Sequence, residues 1–240
     1  MYIQTFIRKV DRSMDKKTTY ERLDKYFELA AQRPKFFRQD DSIPICFDRE
    51  KMMKFESESG RELGVVYDNS PFWYVVVDLI DSPKPFAYGR VIYCAESNGT
   101  VVLPCLDNGD GEPLFGLLDI FRHSKREGCI EFPRGFMASK FISGADNALK
   151  ELSEEFGADI SSVTEITHLG KLYADTGLTP GHTDIFLVKI RGTVPVASVG
   201  HEGIKRGFWI SENDLSDKIK NGEITDSFTV GAFMYYLLNK

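Results

Sequence analysis

Residues 145–157, Ala-Asp-Asn-Ala-Leu-Lys-Glu-Leu-Ser-Glu-Glu-Phe-Gly, constrain this 240-residue chain more tightly than any other stretch. Ala145, Ala148, Leu149, Leu152 and Phe156 recur at helical spacing and form one apolar arc, so the segment predicts an amphipathic helix covered on that side. Ser143 stands where an N-cap belongs, with Asp146 three residues on in a capping-box pattern. Gly157 stands where a helix end favours a left-handed residue. Glu151, Glu154 and Glu155 make an acidic arc beside the apolar one. Like charges at this spacing destabilise a helix by roughly 0.2–0.5 kcal/mol per pair, and near a helix C-terminus they also oppose the dipole. A hard divalent cation would compensate them, because Mg²⁺ favours oxygen ligands and bridges carboxylates to phosphates. A solvated acidic face partly neutralised by Lys150 is the plainer alternative, and the helix alone does not choose between them.

The rest of the chain predicts a soluble α/β protein. Thr18 and Glu21 have capping-box spacing ahead of Tyr20, Leu23, Phe27 and Ala30, a first helix that Pro34 ends. Residues 71–80, rich in Trp, Tyr and Val, suit a buried strand. Residues 82–85, with prolines at 83 and 85, read as a linker, which divides the chain into 1–85 and 86–240. The first part is a small α+β region suited to substrate binding or dimerisation. Beyond it, residues 88–94 and 100–106 predict a strand pair around Ser97-Asn98-Gly99. Residues 108–113 form a glycine-rich loop, followed by strands over 114–122 and 183–189 and helices over 145–156, 212–220 and 229–238. Strands mixed with helices in this way point to an α/β sandwich around a mixed sheet.

Charge and cysteine usage narrow the partners. A net charge of −6 with no basic run at either terminus argues against broad nucleic-acid binding. No apolar stretch reaches membrane-spanning length, and residues 1–14 lack the apolar core of a signal peptide. Cys46, Cys94, Cys105 and Cys129 form no paired motif, and the four histidines are equally scattered. Free thiols in a reducing cytoplasm are the expectation, without a structural zinc.

Residues 150–158, Lys-Glu-Leu-Ser-Glu-Glu-Phe-Gly-Ala, resemble the second half of the Nudix box. Residues 131–136 (Glu-Phe-Pro-Arg-Gly-Phe) look like the strand and loop that precede the box in ADP-ribose pyrophosphatase-like members. Residues 169–187 and the Phe208-Trp209-Ile210-Ser211 segment resemble later parts of the same family, so the likeness spans about residues 86–240. It departs from the family at two places. Lys150 replaces the box arginine and lacks its planar fork. The loop glutamate is missing, its slot falling on Phe141 or Ile142 according to the end counted from, with Asp146 the only nearby acid.

The resemblance implies a Nudix-type α/β/α sandwich and a Mg²⁺- (or Mn²⁺-) dependent pyrophosphohydrolase. Its substrate would be a nucleoside diphosphate derivative, ADP-ribose or nucleotide-sugar-like. It carries Glu151 and Glu155 over as principal metal ligands, with Glu154 as a further ligand or water-mediated partner. Arg134 and the backbone at Gly135 would contact the pyrophosphate. Glu202 is the candidate general base, with Asp184 behind it. Arg122 and His123 are candidates to reach a phosphate, and Phe72 or Trp73 to stack a base. Dimers are common among such relatives, so a homodimer is consistent with the likeness. A catalytically impaired nucleotide-binding or regulatory module that keeps the fold is the alternative, motivated by the two departures.

Overall fold

The computed structural model describes residues 18–70, 72–94, 97–106, 111–137, 143–192 and 202–240. The chain divides into two compact units, 1–94 and 95–240. In the first, helix α1 (Thr19–Gln32) starts at the expected capping box, Thr18 accepting from the Glu21 N–H and Glu21 accepting from the Thr18 N–H. Leu23, Tyr26 and Leu29 fill its buried face, and Pro34 opens a short 3₁₀ turn after it. Helix α2 (Arg49–Ser59) is foretold by no apolar stripe, and among its residues Met52 is the one fully buried. It is bounded by the Asp48 N-cap and by Gly60 at φ +69°.

Strands β1 (Gly64–Asn69), β2 (Trp73–Ile80) and β3 (Phe86–Tyr93) form an antiparallel three-stranded sheet in that order. Two expectations change here. Residues 82–85 are a hairpin turn and not a linker, because β3 pairs with β2 from Trp73↔Tyr93 through Ile80↔Phe86. Proline fixes φ and donates no hydrogen bond, which suits a turn as well as a linker. Here Ser82 ties the turn together, its N–H donating to the Ile80 carbonyl and its hydroxyl to the Lys84 carbonyl. The strand expected to pair with 100–106 therefore belongs to the first sheet, and the division falls after Cys94, not after residue 85. Inside this unit Asp78 is buried but satisfied, accepting from the Tyr26 hydroxyl at 2.6 Å and from the Arg90 guanidinium.

The second unit is built on a mixed sheet. Strand β4 (Ser97–Leu106) is central, flanked by β5 (Leu114–Arg122) and β9 (His182–Ile190). Strands β10 (Ile204–Ser211) and β8 (Val163–Leu172) complete the order β10-β5-β4-β9-β8. Short strands β6 (Glu127–Glu131) and β7 (Arg134–Phe136) pair with β5 and β4. The β4–β9 pair is parallel and the others are antiparallel.

Alternate residues of β4 serve two cores. Val101, Leu103 and Cys105 pack with Leu215 of helix α4 (Glu212–Lys220) and with Ala232 and Phe233 of helix α5 (Ser227–Leu238). Val102 packs with Ala148, Leu152 and Phe156 of helix α3 (Gly144–Phe156). Burying each of the Val, Leu and Phe side chains among them contributes about 1.5–3 kcal/mol. The apolar arc read from the sequence is thus the face that seats α3 on the sheet. Among the described residues no helix is long and apolar enough to cross a membrane.

Candidate functional site

The site is centred where α3 passes over β7. Ser143 accepts from the Asp146 N–H, and Gly157, at φ +76°, ends the helix, so both caps read from the sequence are in place. Seating Leu152 and Phe156 in the core turns Glu151 and Glu155 inward as well. They are 5% and 7% exposed, far below what unpaired carboxylates tolerate. The Glu151 carboxylate lies directly against Gly135, and a Cβ at that position would collide with it. Glu155 accepts from the Arg134 N–H at 2.8 Å. The two β7 residues are therefore fitted to the two acids, one leaving space and the other donating a hydrogen bond.

Burial dominates the electrostatics. Desolvation raises the Glu155 pKa to about 7, opposed by the Arg134 N–H and Arg122 and reinforced by the charges of Glu151 and Glu202. Glu151 is raised for the same first reason, with Lys150 opposing and Glu154 and Glu202 adding to the rise. Lys150 donates to Glu151 at 3.2 Å and to Glu154 at 2.7 Å. Glu154 itself is 59% exposed, so of the three glutamates two are buried and the third is joined to Glu151 through Lys150.

The charge of Glu202 is near enough to add, as the smallest contribution, to the rise at both buried acids. Glu202 sits at φ +50°, in a turn held by the Phe121 N–H donating to the Gly203 carbonyl. Asp184, opposite Thr100 in the β4–β9 register, pairs with His168 Nε2 at 3.1 Å. The Arg134 guanidinium is engaged by Glu131 at 2.9 Å and Asp226 at 3.2 Å and lies over the Phe228 ring. Arg122 is likewise held by both oxygens of Glu131. His123 lies against Arg126. In the first unit Trp73 packs on Tyr67, and Phe72 is largely exposed. Asp146 is exposed and accepts from the Ser143 hydroxyl, so it serves the helix cap. Phe141 and Ile142, the slot of the missing glutamate, lie outside the described residues.

The sequence reading missed two groups. Glu131, buried between Arg122 and Arg134, organises the arginines it had assigned to phosphate. Asn147 lies one helical turn before Glu151 and is fully buried, with its Nδ2 donating to Thr100 Oγ1 at 2.9 Å. Its i,i+4 spacing from Glu151 is visible in the sequence, and that was the available signal.

Among the described residues no three His, Cys, Asp or Glu side chains converge to hold a metal unaided. Mg²⁺ usually keeps several waters and takes one or two carboxylates plus substrate phosphates, so a pair suffices. Glu151 and Glu155 fit that need: both are buried oxygen donors, and burial has raised both pKa values.

No family model matches the chain, and no curated protein matches it. Among solved structures it is similar to the crystal structure of an ADP compounds hydrolase, at a TM-score of 0.51 and 15% identity. The match covers 72% of this chain and 88% of that one. At that identity the likeness speaks to the fold alone, which is α/β with a mixed sheet.

Proposed function

We propose that residues 95–240 cleave the pyrophosphate bond of a nucleoside diphosphate derivative, ADP-ribose or nucleotide-sugar-like, with Mg²⁺ or Mn²⁺. The observation that carries this reading is the buried acid pair, Glu151 on Gly135 and Glu155 on the Arg134 N–H. The likeness to an ADP compounds hydrolase supports the substrate class. A bound Mg²⁺ supplies positive charge to the phosphate oxygens and polarises the attacking water. Glu151 and Glu155 would hold it, and Glu154 would reach it through water. Glu202 is the carboxylate that takes the water proton in this reading. Arg134 and Gly135 act by shaping the acid pair, since the guanidinium is engaged by Glu131 and Asp226.

The test is turnover of ADP-ribose, NADH, nucleotide sugars and dinucleoside polyphosphates with Mg²⁺ or with a chelator. Glu155→Gln should lower the metal-dependent rate by about a thousandfold. Charge stabilisation by a metal is worth several kcal/mol, and about 1.4 kcal/mol is a factor of ten. The second reading, a binding module without turnover, is favoured by Lys150, which already donates to Glu151 and Glu154. Silence across the panel, together with a raised melting temperature in ADP-ribose, would select it.

A further inference from the structure

Asn147 is the least explained polar group in the second unit. It is 0% exposed, and its Oδ1 has no hydrogen-bond partner among the described residues. An orphaned buried acceptor forfeits the hydrogen bonds it made to water, and native proteins seldom keep one without a use. Its other end is fixed, because Nδ2 donates to Thr100 Oγ1, itself fully buried. Thr100 pairs across the β4–β7 ladder with Gly135, the residue against which the Glu151 carboxylate lies. Asn147 and Glu151 share a helix face one turn apart, about 6 Å along the axis. The amide is therefore fixed by Thr100 one helical turn from Glu151, and it carries a spare oxygen.

The chemistry of that site calls for such an oxygen. A Mg²⁺ held by two carboxylates retains several waters, and these donate hydrogen bonds to a surrounding shell of acceptors. Residues 138–142 contain no carboxylate, and Asp146 is turned to the helix cap. We propose that the Asn147 amide oxygen accepts a hydrogen bond from a water on the cation that Glu151 and Glu155 would hold. This inference rests on the metal-dependent reading above.

The experiment is titration of the full-length protein with Mn²⁺ alone, read by electron paramagnetic resonance and by thermal stability without substrate. Wild type, Asn147→Ala, Asn147→Asp and Glu155→Gln are compared. Asn147→Ala should bind Mn²⁺ about tenfold more weakly, the loss typical of an outer-shell partner. Asn147→Asp should bind at least as tightly as wild type, because the acceptor is restored with a charge. Glu155→Gln should abolish binding at this site. Wild-type affinity in Asn147→Ala, with binding lost in Glu155→Gln, would overturn the inference and leave the metal site standing. No Mn²⁺ binding by wild type, or binding unchanged by Glu155→Gln, would overturn the metal-dependent reading itself. Should Asn147→Ala fail to fold, Asn147→Asp decides, and affinity below wild type there would also overturn the proposal.

Discussion

At the scale of single residues, Gly135 is where space and charge meet. Its missing side chain leaves the room that the Glu151 carboxylate occupies. Gly135→Ala should destabilise the cation-free protein by about 1–3 kcal/mol, the usual result of overpacking, and should weaken Mn²⁺ binding together with it. Chemical denaturation and a Mn²⁺ titration check the two parts, and an unchanged titration would separate Gly135 from the acid site. The glutamates were legible because helical spacing alone groups them. Their burial was not, since it depends on how far Leu152 and Phe156 sink into the sheet. Nor could spacing reveal that the Arg134 guanidinium is spoken for, because Glu131 and Asp226 lie on either side of it in sequence and only the fold makes them converge. Glu202 was reached through the resemblance, and its repulsion on both acids now gives it a physical connection to them.

At the scale of elements, the far end of α3 is seated by Phe156. A Cβ on Gly116 of β5 would stand 2.5 Å from Phe156 Cζ, so the ring fills the place of the absent side chain. Gly116→Ala should therefore push Phe156 off the sheet and cost about 1–3 kcal/mol. Because Glu155 precedes Phe156, the same variant should also weaken Mn²⁺ binding, whereas a purely local effect would lower the melting temperature alone. Elements with strong periodicity or clear caps, α1, α3, β5 and α4, were readable almost to their ends. Strand β8 went unread as a strand: it is an edge strand with Thr164, Glu165 and Thr167 among its residues, and it shows little apolar alternation. Helix α2 escaped for a similar reason, its Arg, Glu, Lys and Ser residues covering all but a narrow buried side. The β2–β3 turn was misread because two prolines mark a tight turn and a linker alike.

At the scale of the molecule, the raised acids tie stability to pH. A carboxyl whose pKa is higher folded than unfolded favours the fold while protonated, and the benefit is lost as it ionises. For Glu155 that window runs from the ordinary carboxyl value of 4.5 up to about 7. In chelator, the wild-type melting temperature should fall relative to Glu155→Gln across this range, and Mg²⁺ should restore it near neutrality. Parallel curves for the two proteins would show that Glu155 is not buried as described. The parallel pairing of β4 with β9 has a further consequence, one of timing. Strand β4, which carries Thr100, is matched along nearly its whole length by β9, a partner that arrives only after β5, β6, β7, α3 and β8. Closing so long a loop is entropically slow, and non-local pairings of this kind set folding rates. The wall of the acid site is therefore a late product of synthesis, and a nascent chain that already contains Glu151 and Glu155 still lacks the strand that holds their surroundings in register.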